Sequence, residues 1–114
     1  MPTIFEMLAE ADGFDDADFS RVRLALCGGA PCPLSLIERY TARDVGFKQG
    51  YGLTEGGPNC LNLNAEDVLR KAGSAGRENA LILARRADDG ELLLAGPCTC
   101  LGYWRRPDAT DAAF

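Results

Sequence analysis

Histidine is absent from this 114-residue chain. Any zinc site would therefore rest on thiols without imidazole help. The five cysteines are Cys27, Cys32, Cys60, Cys98 and Cys100. Neither Cys27-x4-Cys32 nor Cys98-x-Cys100 is matched by a second dyad at zinc-site spacing, so buried or incidental thiols are expected. Long apolar runs are also lacking, and no stretch approaches the ~20 residues that span a bilayer. Residues 1–11 have neither a basic start nor a long apolar core, which argues against a secretory signal. With an odd number of free thiols, a reducing cytoplasm is the expected location. Positive charge is scarce: 12 bases face 17 acids, for a net charge of −5. Such a balance disfavours non-specific attraction to nucleic acid or to an anionic membrane. Arg105 and Arg106, beside Tyr103 and Trp104, are the one basic pair near aromatics, and two arginines do not make a groove. Neither GxxxxGK[ST] nor GxGxxG occurs, so the two commonest glycine-loop phosphate motifs are excluded. No internal repeat or low-complexity tract is present.

What remains is ordinary globular composition, 46 % hydrophobic and 25 % charged, at a length of one domain at most. Residues 3–10 set Ile4, Phe5, Leu8 and Ala9 near one face at helical spacing, and Asp12-Gly13 ends that helix. An acidic loop follows over 14–20. Residues 22–27, VRLALC, read as a short buried strand that leads into Gly28-Gly29-Ala30-Pro31. Pro33 suits a first helical turn, and Leu34, Ile37 and Tyr40 mark an amphipathic helix over 33–43. Residues 46–51 read as a second strand. Strand, glycine turn, helix, strand is a βαβ unit and favours parallel pairing. A glycine-rich loop is expected from Gly50 to Gly57, and one or two helical turns over 64–72, capped by Asn64. Ala87-Asp88-Asp89-Gly90 signals a hairpin between 80–86 and 91–95, and a helix start is read at Asp108. The fold class expected is α/β: a βαβ segment of a larger sheet over 1–76, then a β-hairpin-rich segment of a second subdomain over 77–114.

Two stretches carry chemistry. Gln49-Gly50-Tyr51-Gly52-Leu53-Thr54-Glu55 follows a strand, at the end where open α/β sheets bind ligands. Gly50 and Gly52 let backbone approach a ligand, and Tyr51 offers a flat face for stacking on a base. Thr54 is a hydrogen-bond donor for phosphate, and Glu55 is a hard oxygen ligand suited to Mg²⁺. The bland alternative is a glycine turn with a surface tyrosine. Gly28-Gly29-Ala30-Pro31 similarly follows a strand and precedes a helix, where small residues can wall a flat pocket. In isolation a plain strand-to-helix turn is the better explanation of it. Together, the two stretches end adjacent strands about twenty residues apart and can converge on one ligand.

In order along the chain, LALCGGAP, FKQGYGLTE, KAGSAGR, GELLLAGP and LGYWRRPDAT resemble the motifs of the adenylate-forming superfamily. The branch they look most like is the AMP-forming acyl-CoA synthetases, fatty-acyl or related. That resemblance implies attack of a carboxylate on the α-phosphate of ATP, then transfer of the acyl group to coenzyme A, with Mg²⁺ neutralising charge as pyrophosphate departs. It further implies that Tyr51 stacks on adenine, Thr54 contacts phosphate and Glu55 binds or orients Mg²⁺. Gly28, Gly29, Ala30 and Pro31 would wall the adenylate. Gly50 and Gly52 would lie against the acyl chain or carboxylate, and Gln49, Gly50, Gly52 and Leu53 would belong to the nucleotide-binding stretch.

The resemblance also implies parts that these residues do not include: an upstream phosphate loop ending in lysine, a downstream aspartate for the ribose, and a mobile C-terminal domain with a catalytic lysine. Glu78 stands where the family commonly has proline, and Cys27 where it commonly has serine. The stretch ENALILARRADD is shorter than its family counterpart. A fragment of a larger ligase, inactive by itself, is therefore expected. The alternatives are a non-catalytic nucleotide-binding or interaction module and a small structural partner with no ligand.

Overall fold

The computed structural model describes residues 1–114, with helix α1 at Pro2–Glu10, strand β1 at Ala25–Gly28, helix α2 at Leu34–Thr41 and strand β2 at Phe47–Leu53. Strand β3 spans Gly57–Leu63 and β4 Arg77–Glu78; β5 (Leu83–Arg86), β6 (Leu92–Ala95) and helix α3 (Pro107–Ala113) complete the chain. The first sheet has the order β1-β2-β3-β4, and β5-β6 form a separate two-stranded sheet. β1 and β2 pair in parallel, Ala25 opposite Phe47 and Gly28 opposite Gly50. The βαβ unit and the α/β class expected from the sequence are therefore present.

One face of this unit is a dense core. Ile37, Phe47 and Cys27 are fully buried, and Tyr40 nearly so. The Tyr40 ring meets Phe5, Phe14 and Phe47 at centroid distances of 5.4, 5.2 and 5.7 Å, and its hydroxyl donates to the Phe5 carbonyl at 2.9 Å. Arg39 of α2 and Arg43, in the turn just after it, lie over Phe14 and Phe19, and Arg43 also donates to the Ala17 carbonyl at 2.7 Å. These contacts fasten the acidic 14–20 loop to the helix.

Several boundaries differ from the sequence reading. β1 begins at Ala25 instead of residue 22, and Val22 and Leu24 are exposed. α2 ends at Thr41, and Pro33 is its N-cap instead of its first helical residue. Its buried face is Leu36, Ile37 and Tyr40, while Leu34 is exposed. The i, i+3, i+6 count that chose Leu34 drifts off the 100° spacing within two turns. On α1, Pro2 and Ala9 are buried, whereas Ile4 and Leu8 are exposed. Residues 64–72 form successive turns, with no α-helix. One i to i−4 bond, from Lys71 N–H to the Asp67 carbonyl at 2.8 Å, is too little to offset the nucleation penalty. The expected Gly50–Gly57 loop is mostly strand: β2 runs to Leu53, and β3 returns from Gly57. Those strands pair antiparallel with an irregularity between Tyr51 and Leu53. The Asp-Gly hairpin stands as expected, with Leu83 opposite Ala95 and Arg86 opposite Leu92.

The radius of gyration is 16.8 Å, against about 13 Å for a compact domain of this length. The excess reflects two sheets set side by side, each with only part of a core. β1 is an open edge, and Leu24, Leu26, Ile4 and Met7 lie exposed nearby in sequence or on α1. Phe47→Ala removes a fully buried ring that packs on Phe5 and Tyr40 and is expected to cost about 3–5 kcal/mol. Near-UV circular dichroism should then lose its aromatic signal, while Leu101→Ala, at a fully exposed position, should leave both signal and melting temperature unchanged.

Candidate functional site

The parallel register carries the Gly28–Pro31 turn to the side of Gly50–Gly52. A depression of about 350 Å³ is lined by Gly28, Gly29, Gly50, Tyr51, Gly52 and Asn59, among others. A second, of about 300 Å³, is lined by Gly29, Ala30, Pro31, Gln49, Tyr51 and Gly73, among others. Gly29, Gly50, Tyr51 and Gly52 border both. Tyr51 is 37 % exposed and borders the small residues of both depressions.

The glycines answer first to the protein. A Cβ at Gly28 would come within 2.8 Å of the Gly50 carbonyl oxygen, and one at Gly52 within 2.6 Å of both Asn59 N and Gly57 O. Backbone atoms cannot yield at such distances. Their small size is thus demanded by the approach of β1, β2 and β3, and the shallow cleft is its by-product. Gln49 has a related duty. It is buried, 7 % exposed, and its Oε1 accepts the Cys32 N–H at 3.2 Å. This bond closes the Gly28–Pro31 turn onto β2 beneath the cleft.

Thr54 and Glu55 are carried elsewhere. Leu53, past the β2–β3 irregularity, lines a larger cavity of about 620 Å³ with Glu55, Leu92–Leu94, Thr99 and Phe114. Thr54 is exposed on the turn between the strands. The depressions that join Tyr51 to Gly28–Pro31 are not lined by Glu55. Reading the seven residues 49–55 as one loop missed this division, because a hairpin sends its tip beyond the strand pair that forms the cleft.

Glu55 is half-buried and firmly held. Its Oε1 accepts a hydrogen bond from the Tyr103 hydroxyl, and its backbone carbonyl accepts the Cys100 N–H at 2.8 Å. Oε2 takes no part in that bond. No cluster of three metal-ligating side chains exists. One hard carboxylate at the mouth of a large cavity fits Mg²⁺ carried in by a nucleotide, since Mg²⁺ is commonly held by one or two carboxylates plus substrate phosphates and water.

Asn59, Gly73 and Ala75 border the cleft and were missed by sequence reasoning. Asn59 has φ +62°, a left-handed conformation that asparagine tolerates; Gly-Gly-Pro-Asn was a usable turn signal. The Gly73–Gly76 break was noticed, but nothing local assigned it to this wall.

The description "AMP-binding enzyme" matches residues 1–104. The chain belongs to the AMP-binding enzyme family. It is 39 % identical over 120 residues to a feruloyl-CoA synthase from Amycolatopsis sp, covering 96 % of this chain and 24 % of that protein. It is 37 % identical over 123 residues to the long-chain-fatty-acid–CoA ligase FadD13 of Mycobacterium tuberculosis, covering 100 % of this chain and 24 % of that one. Among solved structures, a Mycobacterium tuberculosis fatty acyl CoA synthetase superposes with a TM-score of 0.87 at 38 % identity, over 100 % of this chain and 24 % of that chain. The o-succinylbenzoate coenzyme A synthetase of Bacillus subtilis in complex with AMP gives 0.83 at 28 % identity, over 99 % and 25 %. The chain therefore spans about a quarter of the length of the curated relatives it matches. Those relatives are acyl-CoA and related CoA ligases, which agrees with the motif resemblance. No helix is long and apolar enough to cross a membrane.

Thiol chemistry provides a check on the turn. Cys27 and Cys32 flank it and are buried. Burial, and then the neighbouring Cys27, push the Cys32 thiol from its ordinary 9.0 up to about 12. Cys98 is exposed. At pH 8, iodoacetamide should label Cys98 at least about tenfold faster than Cys32, because only thiolate reacts and only one site is open. The neutral Cys32 thiol supports the fold fully below pH 9, and that support should fade as pH climbs towards 12. Site-resolved mass spectrometry across that range checks both statements.

Proposed function

We propose that this chain is the part of an AMP-forming carboxylate–CoA ligase that supplies one wall of the adenylate site. The observation that carries the reading is that Tyr51 and the Gly28–Pro31 turn border shared depressions within a chain matched to the AMP-binding family over residues 1–104. Residues 1–76 then belong to the nucleotide-binding α/β subdomain and 77–114 to the β-rich subdomain that follows.

In this reading, the substrates of the whole enzyme are a carboxylic acid, ATP and coenzyme A. A carboxylate oxygen attacks the α-phosphorus of ATP and pyrophosphate leaves, giving an acyl-adenylate. The thiolate of coenzyme A then attacks the acyl carbonyl and AMP leaves. This chain's residues bind and orient. Tyr51 stacks on the adenine, while Gly28, Gly29, Ala30 and Pro31 form the flat floor against which the base lies. Gln49 holds that floor in place through Cys32. Gly50, Gly52 and Leu53 line the path of the acyl group, and Thr54 donates to a phosphate oxygen. Glu55 holds Mg²⁺, which when bound offsets the charge released with pyrophosphate. The acid activated is a fatty acid. The relatives named feruloyl-CoA synthase and 2-succinylbenzoate–CoA ligase favour a second reading, in which it is an aromatic acid.

Alone, the chain is expected to turn nothing over: a pyrophosphate-release assay with ATP, Mg²⁺ and fatty or aromatic acids should stay at the blank. ATP titrated by calorimetry should bind weakly, and Tyr51→Ala should weaken that binding roughly tenfold or more, from the ~1–3 kcal/mol of base stacking. Measurable turnover, or ATP binding indifferent to Tyr51→Ala, would contradict the proposal.

A further inference from the structure

The last motif in the chain, LGYWRRPDAT, makes no contact with the Tyr51 cleft, yet it reaches Glu55 through Tyr103. Two further interactions fix that tyrosine, one of them backed by a third. Its backbone N–H donates to Thr110 Oγ1 at 2.9 Å. Thr110 in turn donates to the carbonyl of Arg106, the N-cap of α3, at 2.9 Å, so its hydroxyl is engaged both as acceptor and as donor. The Tyr103 ring lies edge-on to Phe114 with centroids 6.1 Å apart. Beside it, Cys100 N–H holds the Glu55 carbonyl at 2.8 Å. The segment from Cys100 to Thr110 therefore grips both the backbone and the side chain of one residue on the β2–β3 turn, 48 positions away from Tyr103.

Two points separate this from a packing contact. A phenol donating to a carboxylate is a charge-assisted bond that selects one oxygen and fixes the rotamer of the acid. The bond goes to Oε1, so the other oxygen of Glu55 keeps its capacity for a cation. This is the arrangement by which outer hydrogen-bond partners orient metal-binding carboxylates.

We propose that Tyr103 is a positioning residue for the nucleotide's divalent cation: its hydroxyl fixes the Glu55 carboxylate, and Thr110 fixes Tyr103. The inference rests on the role given to Glu55 above. It makes the segment from Cys100 to Tyr103 and α3 part of the metal-handling apparatus.

The test uses the full 114-residue chain with 15N amides and with Glu 13C-labelled at the carboxyl, titrated with Mn²⁺·ATP as a paramagnetic stand-in for Mg²⁺·ATP. Broadening of the Glu55 signal reports cation proximity without requiring turnover. In the wild type, Glu55 should broaden ahead of the other acids, and Glu55→Gln should remove the site-selective effect on neighbouring amides. Tyr103→Phe, which keeps the ring against Phe114, should require roughly tenfold more Mn²⁺·ATP for the same broadening. Metal-free AMP should bind that variant as it binds the wild type. Thr110→Val should shift the titration in the same direction, and it carries the test by itself should Tyr103→Phe fail to fold. If Glu55→Gln abolishes the effect while Tyr103→Phe and Thr110→Val titrate like the wild type, the positioning role is wrong and the Glu55 assignment stands. If Glu55→Gln changes nothing, the assignment of Glu55 fails and the inference falls with it.

Discussion

Everything at the candidate site follows from the parallel pairing that sets Gly28 opposite Gly50. In that register a Cβ at Gly28 would run into the Gly50 carbonyl oxygen, and one at Gly50 would run into the side chain of Asn59 on β3. The same pairing lays the Gly28–Pro31 turn beside Tyr51 and brings Gln49 underneath, where it bonds the turn at Cys32. A buried glutamine with no partner would cost about 1–3 kcal/mol. Hence the bond that satisfies Gln49 also dictates where the turn can lie. The cleft is assembled from strand backbone, a glycine turn and one buried amide.

A second centre lies at the hairpin tip. The β2–β3 irregularity between Tyr51 and Leu53 turns the chain away from the cleft, and Glu55 enters a different cavity under the hold of Tyr103 and Cys100. The two centres border different surfaces of one hairpin. A ligand with a flat base at one end and a charged group at the other could span both. A small contact cluster of Cys60, Leu61 and Ile82, with Ala84 and Leu94 packed on it, links the two sheets beneath that path. The sheets thus meet at the base of the hairpin that bears both centres.

How much of this was legible beforehand depended on the range of the interactions involved. The βαβ unit was readable because its signals are local: an apolar run, a glycine turn and an amphipathic helix. The Asp88-Asp89-Gly90 hairpin was readable for the same reason, and so was the convergence of Gly28–Pro31 with Tyr51. β3 went unread because Gly-Gly-Pro at its start looks like loop, and only pairing with β2 makes it a strand. The turn at 64–72 looked helical by composition, yet Val68 is anchored in the core without a helix around it. The link from Tyr103 to Glu55 joins residues far apart in sequence, and no local pattern announces such a contact. Motif resemblance singled out residues 49–55 as one stretch, with no sign that they divide between two cavities.

The central claim is that the Gly28–Pro31 turn and the Tyr51 strand together form one adenylate wall. The most direct measurement is the map of backbone amide shifts in the 15N-labelled chain as AMP is added. The account predicts shifts at Gly28, Gly29, Ala30 and Gly50–Gly52, with Gly73 and Ala75 following at the rim. Shifts confined to the Leu92–Leu94 cavity, or shifts at Tyr51 with none at Gly28–Ala30, would contradict it.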